Sequence, residues 1–382
     1  MGRQHPKTKT GRSVPQNKAA ATKTASTSKP APSIPALLTK VQELLTQCNY
    51  ELALKFLQRI LSQSPRNVEA LGYLGIVQIE TGELESAKQT FLSLLPPNED
   101  IPNPPPASAH LYLAQLQDED PRMALTHYQA ALDILAAKLK ASQESGASDN
   151  SEDDETKLTA IRAIVSMVEI WMTDLCFEPE AEAQCDSLLQ TALSIDPTNS
   201  EALMSLSSVR MSQSRPDEAR ELAERAWEGW KDIKPEDPKQ PSPSVLLSLT
   251  RLFLELALYP PALAVIQSIL AVDDQEVEAW YLEGWCFVLM SEQVKETSQK
   301  IDDLSAEELA QDARDCLEMC KMLHENQDHP DDALLEHTKE LISNLEAAGV
   351  HPSPIHEEEE GGAEDEVWED LDEDEDGDVD MS

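Results

Sequence analysis

The chain is 382 residues long, 40% apolar but only 4% aromatic, with 30 basic against 72 acidic residues and a net charge of −42. Its apolar content supports one large or two ordinary cores, while its acidity opposes DNA, RNA and anionic lipid, whose phosphates are bound by Lys and Arg. The charge is uneven: residues 1–33 hold +7, Glu357 to Asp380 hold −16, and setting both aside from −42 leaves −33 for residues 34–356.

The opening MGRQHPKTKT has no apolar run, and Pro6 stands where an acylated Gly2 would want Ser or Thr. Neither secretion nor myristoylation is expected. Residues 1–33, rich in Lys, Thr, Ser, Pro and Ala, read as a disordered basic tail. That tail serves equally as an import signal or as a contact for the acidic body. No stretch approaches the roughly 18 apolar residues of a membrane helix. Cys48, Cys176, Cys185, Cys286, Cys316 and Cys320 form no CxxC pair, which reads as reduced thiols of a cytosolic or nuclear protein.

From Ile34 to Val350 the apolar residues recur at the helical period, in short stretches that come in pairs. CNYELALKFLQRILSQSP (48–65) superposes on GELESAKQTFLSLLPP (82–97), placing Ala53 on Ala87 and Leu57 on Phe91, 34 residues apart. The same spacing puts Cys185 on Ala219 and Leu189 on Ala223, and Ala262 and Gly284 fall at further small-residue positions. Small residues let antiparallel helices approach closely, large apolar ones fill the groove, and Pro65 and Pro197 end second helices. A 34-residue period is that of tetratricopeptide repeats. The expected fold is an all-α tetratricopeptide-repeat superhelix over residues 34–350. It has about seven units (34–66, 67–99, 107–140, 157–197, 200–233, 243–275 and 277–323) and a polar-faced capping helix at 331–349. Stretches 96–106, 141–156 and 233–244 read as loops or insertions, with another insertion near 291–304. The unit from 157 has an overlong first helix, and Glu283 replaces the usual apolar residue before Gly284. Residues 351–382 read as a disordered acidic tail.

No Gly-rich phosphate loop, GxSxG or HExxH is present, so neither an enzyme nor a cofactor is expected. Cys316, Cys320 and His324 share a helical stripe with ligand-like spacing, but core packing is the better reading of Cys320. Ser148 and Ser151 lie in an acidic stretch that suits an acid-directed kinase, or plain solvation. The repeat frame sets Glu69, Glu80, Asp118, Glu119, Glu169, Asp174, Glu201, Glu255, Glu278, Tyr281 and Trp285 on or near the inner surface of the first helices, with Arg251 the plainest base among them. Trp280 falls at the core position of its repeat. An acidic, partly aromatic groove suits an extended segment rich in Lys and Arg. It disfavours clamping of a C-terminal carboxylate, which needs inward bases.

The Lys/Ser/Thr-rich start, the repeat array with acidic loops and the ending DEVWEDLDEDEDGD together resemble the fungal dedicated assembly chaperones of large-subunit ribosomal protein four. That resemblance implies a non-enzymatic holdase. It would capture the newly made basic protein by its long internal loop, keep it soluble, and accompany it, with import receptors as further partners, to nuclear pre-60S assembly. An acidic scaffold for another basic client, such as histones, is the alternative.

Overall fold

A computed structural model describes residues 32–97, 102–117, 119–145, 150–234, 237, 240–301 and 303–353. The expected tails, 1–33 and 351–382, lie outside the described residues except for 32–33 and 351–353. Among the described residues the chain forms fifteen α-helices and no strand. They fall into two compact units, Met1–Pro105 and Pro106–Ser382.

The first unit holds α1 (Ile34–Thr46), α2 (Tyr50–Gln63), α3 (Val68–Glu80) and α4 (Leu84–Leu92). Leu37, Val41 and Leu44 recur at i, i+4 and i+7 on α1 and share a core with Ala53, Leu57 and Ile60 of α2. The Asn49 and Asn67 side chains start α2 and α3 by accepting the N–H groups of Leu52 (3.3 Å) and Ala70 (2.8 Å), satisfying donors that a helix start leaves open.

The second unit runs α5 (Ala107–Gln115), α6 (Pro121–Ser145), α7 (Asn150–Met172), α8 (Ala181–Ile195), α9 (Ser200–Ser212), α10 (Pro216–Glu228), α11 (Pro243–Glu255), α12 (Tyr259–Leu270), α13 (Val277–Thr297), α14 (Ala306–Gln327) and α15 (Asp332–Ala347). In both units each odd-numbered helix packs on the even one that follows, and α15 closes on α13 and α14. The helices thus form seven pairs and a final helix. Leu334, Thr338, Ile342 and Leu345 of α15 are buried, while Glu336, Lys339 and Glu340 are exposed.

The small-residue positions act by close approach. A Cβ on Gly75 would lie 2.4 Å from the Phe91 ring, and one on Gly284 2.7 Å from Leu317 Cγ. At the matching place on α9, buried Ser207 donates to the carbonyl of Ala219 at 2.7 Å. Seven residues past Gly75, Ser207 and buried Thr250 stand Gly82, Ser214 and Ala257, with φ of 77°, 59° and 55°; Cys48 takes φ 53° in the turn after α1. After each of these four residues the next N–H reaches back to a carbonyl five residues earlier. The helix is thereby closed and the chain reversed into the second helix of the pair.

Two expected loops are largely helix. Within 141–156, α6 continues to Ser145 and α7 already begins at Asn150. The acids that read as loop-formers place Glu152 and Asp153 in the first turn of α7, where the helix dipole favours negative charge. Lys138 pairs with Glu152 at 2.9 Å and the Ser142 hydroxyl donates to Asp153 at 3.1 Å, tying the two helices. Near 291–304 the extra residues first prolong α13 to Thr297, and buried Ser291 anchors that extension by donating to the Ala306 carbonyl at 2.8 Å. The long first helix from 157 is present and starts earlier, at Asn150. Ser151 lies in that first turn, and Ser148 lies outside the described residues.

Candidate binding surface

In the first unit, α1 and α3 lie in contact. Glu69 and Glu80 are exposed on α3, eleven residues apart and so on one face. The Tyr73 hydroxyl donates to Glu69 at 3.4 Å, and that of Tyr50 donates to Glu80 at 3.0 Å. Each acid is therefore tied to an aromatic neighbour of its own unit.

In the second unit the first helices α7 and α9 touch, as do α11 and α13, and α13 and α15. Glu169 and Asp174 border one cavity of about 500 Å3, with Tyr128, Gln115, Gln117 and Thr173 around it. The Tyr128 phenol is pushed up by burial and further by the Glu169 charge, against a hydrogen bond with Ser166. The Thr173 hydroxyl donates to Asp174 at 3.3 Å. Glu119 is exposed just before α6, and Asp118 lies outside the described residues. Glu255 ends α11 in solvent.

Glu201 and Glu278 differ from these, because each already meets a guanidinium. Arg162 of α7 grips Glu201 in a fork, with Nη2 at 3.0 Å and Nε at 3.2 Å from Oε1. Arg251 of α11 pairs with Glu278 of α13. Both links join successive first helices and leave the acids half-buried. They are structural ties of the first-helix face as well as part of its charge.

Tyr281 and Trp285 form a cluster with His337 of α15. The Tyr281 hydroxyl and His337 Nδ1 are 2.7 Å apart, and the Trp285 and His337 rings meet edge-on at 5.8 Å. Burial pushes the Tyr281 phenol up to about 12. Trp280 is half-buried beside Val277 and Cys320, its indole donating to the Asp274 carbonyl at 2.8 Å.

The Cys316, Cys320 and His324 stripe is not brought to a common point. The Cys316 thiol donates to Glu283 at 3.6 Å, Cys320 meets the Thr338 hydroxyl at 3.7 Å, and His324 Nε2 meets the Asp331 carbonyl at 2.9 Å. Among the described residues no group of three His, Cys, Asp or Glu is placed to hold a metal. Among them, too, no helix is long and apolar enough to cross a membrane.

Sequence reasoning missed three features of this surface. Arg162 and His337 carry no motif; only the packing of neighbouring first helices assigns them roles. Phe177, in the turn after α7, is 98% exposed. The same turn is held at Glu178 by Arg122 of α6, 2.8 Å away. A turn between periodic segments has no helical period to betray it.

Paired helices, buried small residues at repeat spacing and one backbone turn reused in both units define an all-α tetratricopeptide-repeat fold. The Tetratricopeptide repeat family model matches residues 44–109. The crystal structure of the APC/C hetero-tetramer Cut9–Hcn1 shares the fold at a TM-score of 0.50 and 11% identity, over 82% of this chain and 49% of that one. More particularly, the chain resembles proteins named as assembly chaperones of rpl4. It is 29% identical over 356 residues to the "Probable assembly chaperone of rpl4" of Emericella nidulans, covering 89% of each chain. The protein so named in Schizosaccharomyces pombe is 29% identical over 342 residues, covering 89% of this chain and 98% of the relative. The solved structure titled "Assembly Chaperone of RpL4 (Acl4) (Residues 1-338)" matches at a TM-score of 0.63 and 27% identity, over 70% of this chain and all of that one.

Proposed function

We propose that this protein is a dedicated, non-enzymatic chaperone of the large-subunit ribosomal protein rpl4. The observation that carries this reading is the similarity to two relatives so named, running nearly end to end in both partners. The chemistry agrees with it. A new ribosomal protein presents Lys and Arg made for RNA phosphates, and an acidic surface occupies those groups before RNA does. The client lies as an extended basic segment, its long internal loop, along the first helices of the second unit. Glu169 and Glu255 are exposed acids on these helices and Asp174 one just past α7, with Tyr281 and Trp285 as platforms for guanidinium planes. Phe177, exposed in the turn after α7, adds an apolar contact. The chaperone keeps its client soluble in the cytoplasm and, with import receptors, delivers it to nuclear large-subunit assembly.

The test is capture from a cell extract by the tagged full chain, followed by mass spectrometry and titration with the purified client. One ribosomal protein should dominate, with an affinity that falls as salt shortens electrostatic reach to about 8 Å. Histones as the dominant partner, or an affinity indifferent to salt, would overturn the reading.

A further inference from the structure

Beyond α15 the chain turns at Gly349, where φ is 89°, and runs back across α14. Val350 is half-buried against the core of Ala310, Ala313, Leu317, Ile342 and Leu345, with its N–H on the Leu345 carbonyl at 2.9 Å. The next three residues, His351, Pro352 and Ser353, are exposed but held. Gln311 Nε2 of α14 donates to the His351 carbonyl at 2.9 Å and to Ser353 Oγ at 3.1 Å. Asp315, one helical turn on, takes both donors of Ser353: the N–H at 2.9 Å and the hydroxyl at 2.6 Å. A single carboxylate thus latches the strap from which the acidic terminus continues.

The latch depends on Ser353 Oγ carrying a proton, and the sequence continues as Ser353-Pro354. That dipeptide, on an exposed stretch with a further proline at 352, is what a proline-directed kinase reads. We propose that Ser353 is a phosphorylation site and that its phosphate unlatches residues 351–353 from α14. In the transfer, Oγ bonds to the γ-phosphorus of a magnesium-bound nucleoside triphosphate. The bond to the β-bridging oxygen breaks, the diphosphate leaves, and the hydroxyl proton passes to the kinase base. The product has lost the donor that Asp315 accepts and gained nearly two negative charges beside it. Asp315 is not alone there, for the Asp312 carboxyl is pushed up by burial and by the charges of Asp315 and Glu308. Among the described residues the strap is held on α14 by Gln311, a neutral donor, and Asp315, and neither brings a cation to the phosphate. Repulsion wins, and the terminus of the chain loses its fixed point on α14.

The experiment treats the purified full chain with a proline-directed kinase and magnesium ATP, maps phosphate by mass spectrometry, and follows hydrogen exchange across 349–353. Phosphate is expected on Ser353, and none at that position in Ser353→Ala. Exchange of the Ser353 amide is expected to speed about tenfold or more, as two charge-assisted hydrogen bonds are lost. Asp315→Ala, which opens the latch without phosphate, should exchange as fast before treatment and be phosphorylated faster than the parent. No phosphate on Ser353 in either the parent or Asp315→Ala would overturn the site. Phosphorylation that leaves the 349–353 exchange unchanged would overturn the latch.

Discussion

The two units share one repeat but not one charge. Residues 34–105 carry five Lys or Arg against eight Asp or Glu, a net of −3, whereas residues 106–356 carry eighteen against forty-eight, a net of −30. The helix-pair geometry is common to both: close approach at Gly75 and Gly284, and the same left-handed turn at Gly82, Ser214 and Ala257. Packing therefore does not call for the acidity. An excess so large in one unit raises self-repulsion there and suits an external partner of opposite charge. Some acids in the second unit are nevertheless structural, and the sharpest case lies at its end.

Arg314 is only 2% exposed and joins α14 to α15, with Nη2 at 2.6 Å from Glu346 and Nη1 on Glu318. Replacing it with Ala removes the cation from Glu346 and leaves Glu318 with Lys321, 3.7 Å away. The expected loss is about 3 kcal/mol, the low end for a broken buried pair, since Glu346 is half exposed. Thermal unfolding and proteolysis at α15 would show it. A loss confined within experimental error would mean that packing alone holds the final helix.

Gly75→Ala and Gly284→Ala compare the units directly. Each new Cβ meets a buried side chain at 2.4 or 2.7 Å, so each should cost about 1–3 kcal/mol. Hydrogen exchange should place the damage in α3–α4 for the first variant and in α13–α14 for the second. Equal loosening of both units by either variant would argue that they unfold together.

Glu283, 9% exposed, tests buried acid in the second unit. Burial raises its pKa, with a further push from Asp312 and opposition from the Cys316 hydrogen bond. A carboxyl raised on folding contributes stability that is fully present below its ordinary range and lost as pH rises through the raised value. At pH 7 the charged form is the costly one. Glu283→Gln should therefore raise the Tm at pH 7 by about 2–4 °C, the response of a domain this size to roughly 1 kcal/mol. The gain should vanish as pH falls to about 4. A gain independent of pH would assign the effect to packing instead.

The smallest effect is local. Ala257 pays for a left-handed φ of 55° that glycine adopts freely, as Gly82 does at the matching turn. Ala257→Gly should stabilise by up to about 1 kcal/mol, measured by denaturant unfolding. Destabilisation would mean that the lost methyl matters more than the backbone.

The repeat was legible because packing writes it into residue size: Ala53 and Ala87, each followed four residues on by a large apolar side chain, Leu57 and Phe91, stand 34 residues apart in the sequence. Helix ends were less so. The 141–156 stretch reads as loop by polarity, yet Glu152 and Asp153 suit a helix start, and polarity alone does not separate the two. Among candidate binding residues, Glu201 and Glu278 stand on α9 and α13; the frame named Arg251 among its neighbours but gave it no acid partner, and it did not single out Arg162. Those arginines come from the preceding first helix of each contact, 39 and 27 residues away, and no motif links such distant partners. Phe177 escaped for want of periodicity, and the strap at 351–353 because its partners, Gln311 and Asp315, lie about forty residues upstream.

We propose that exposed acids on or just past the first helices of the second unit, rather than the terminal acidic run or the first unit, hold the basic client. Dissociation constants for the rpl4 internal segment test it across three variants of the full chain. The joint reversal Glu169→Lys, Asp174→Lys and Glu255→Lys spares the Arg162 and Arg251 pairs; Glu69→Lys with Glu80→Lys reverses charge in the first unit; the third variant lacks residues 357–382. The triple reversal is predicted to weaken binding by about tenfold to a hundredfold, at roughly 1 kcal/mol per exposed pair. The first-unit reversal should change it less than about threefold, and the truncation should mainly slow association. Binding abolished by the truncation, or by the first-unit reversal, while the triple variant binds normally, would contradict it.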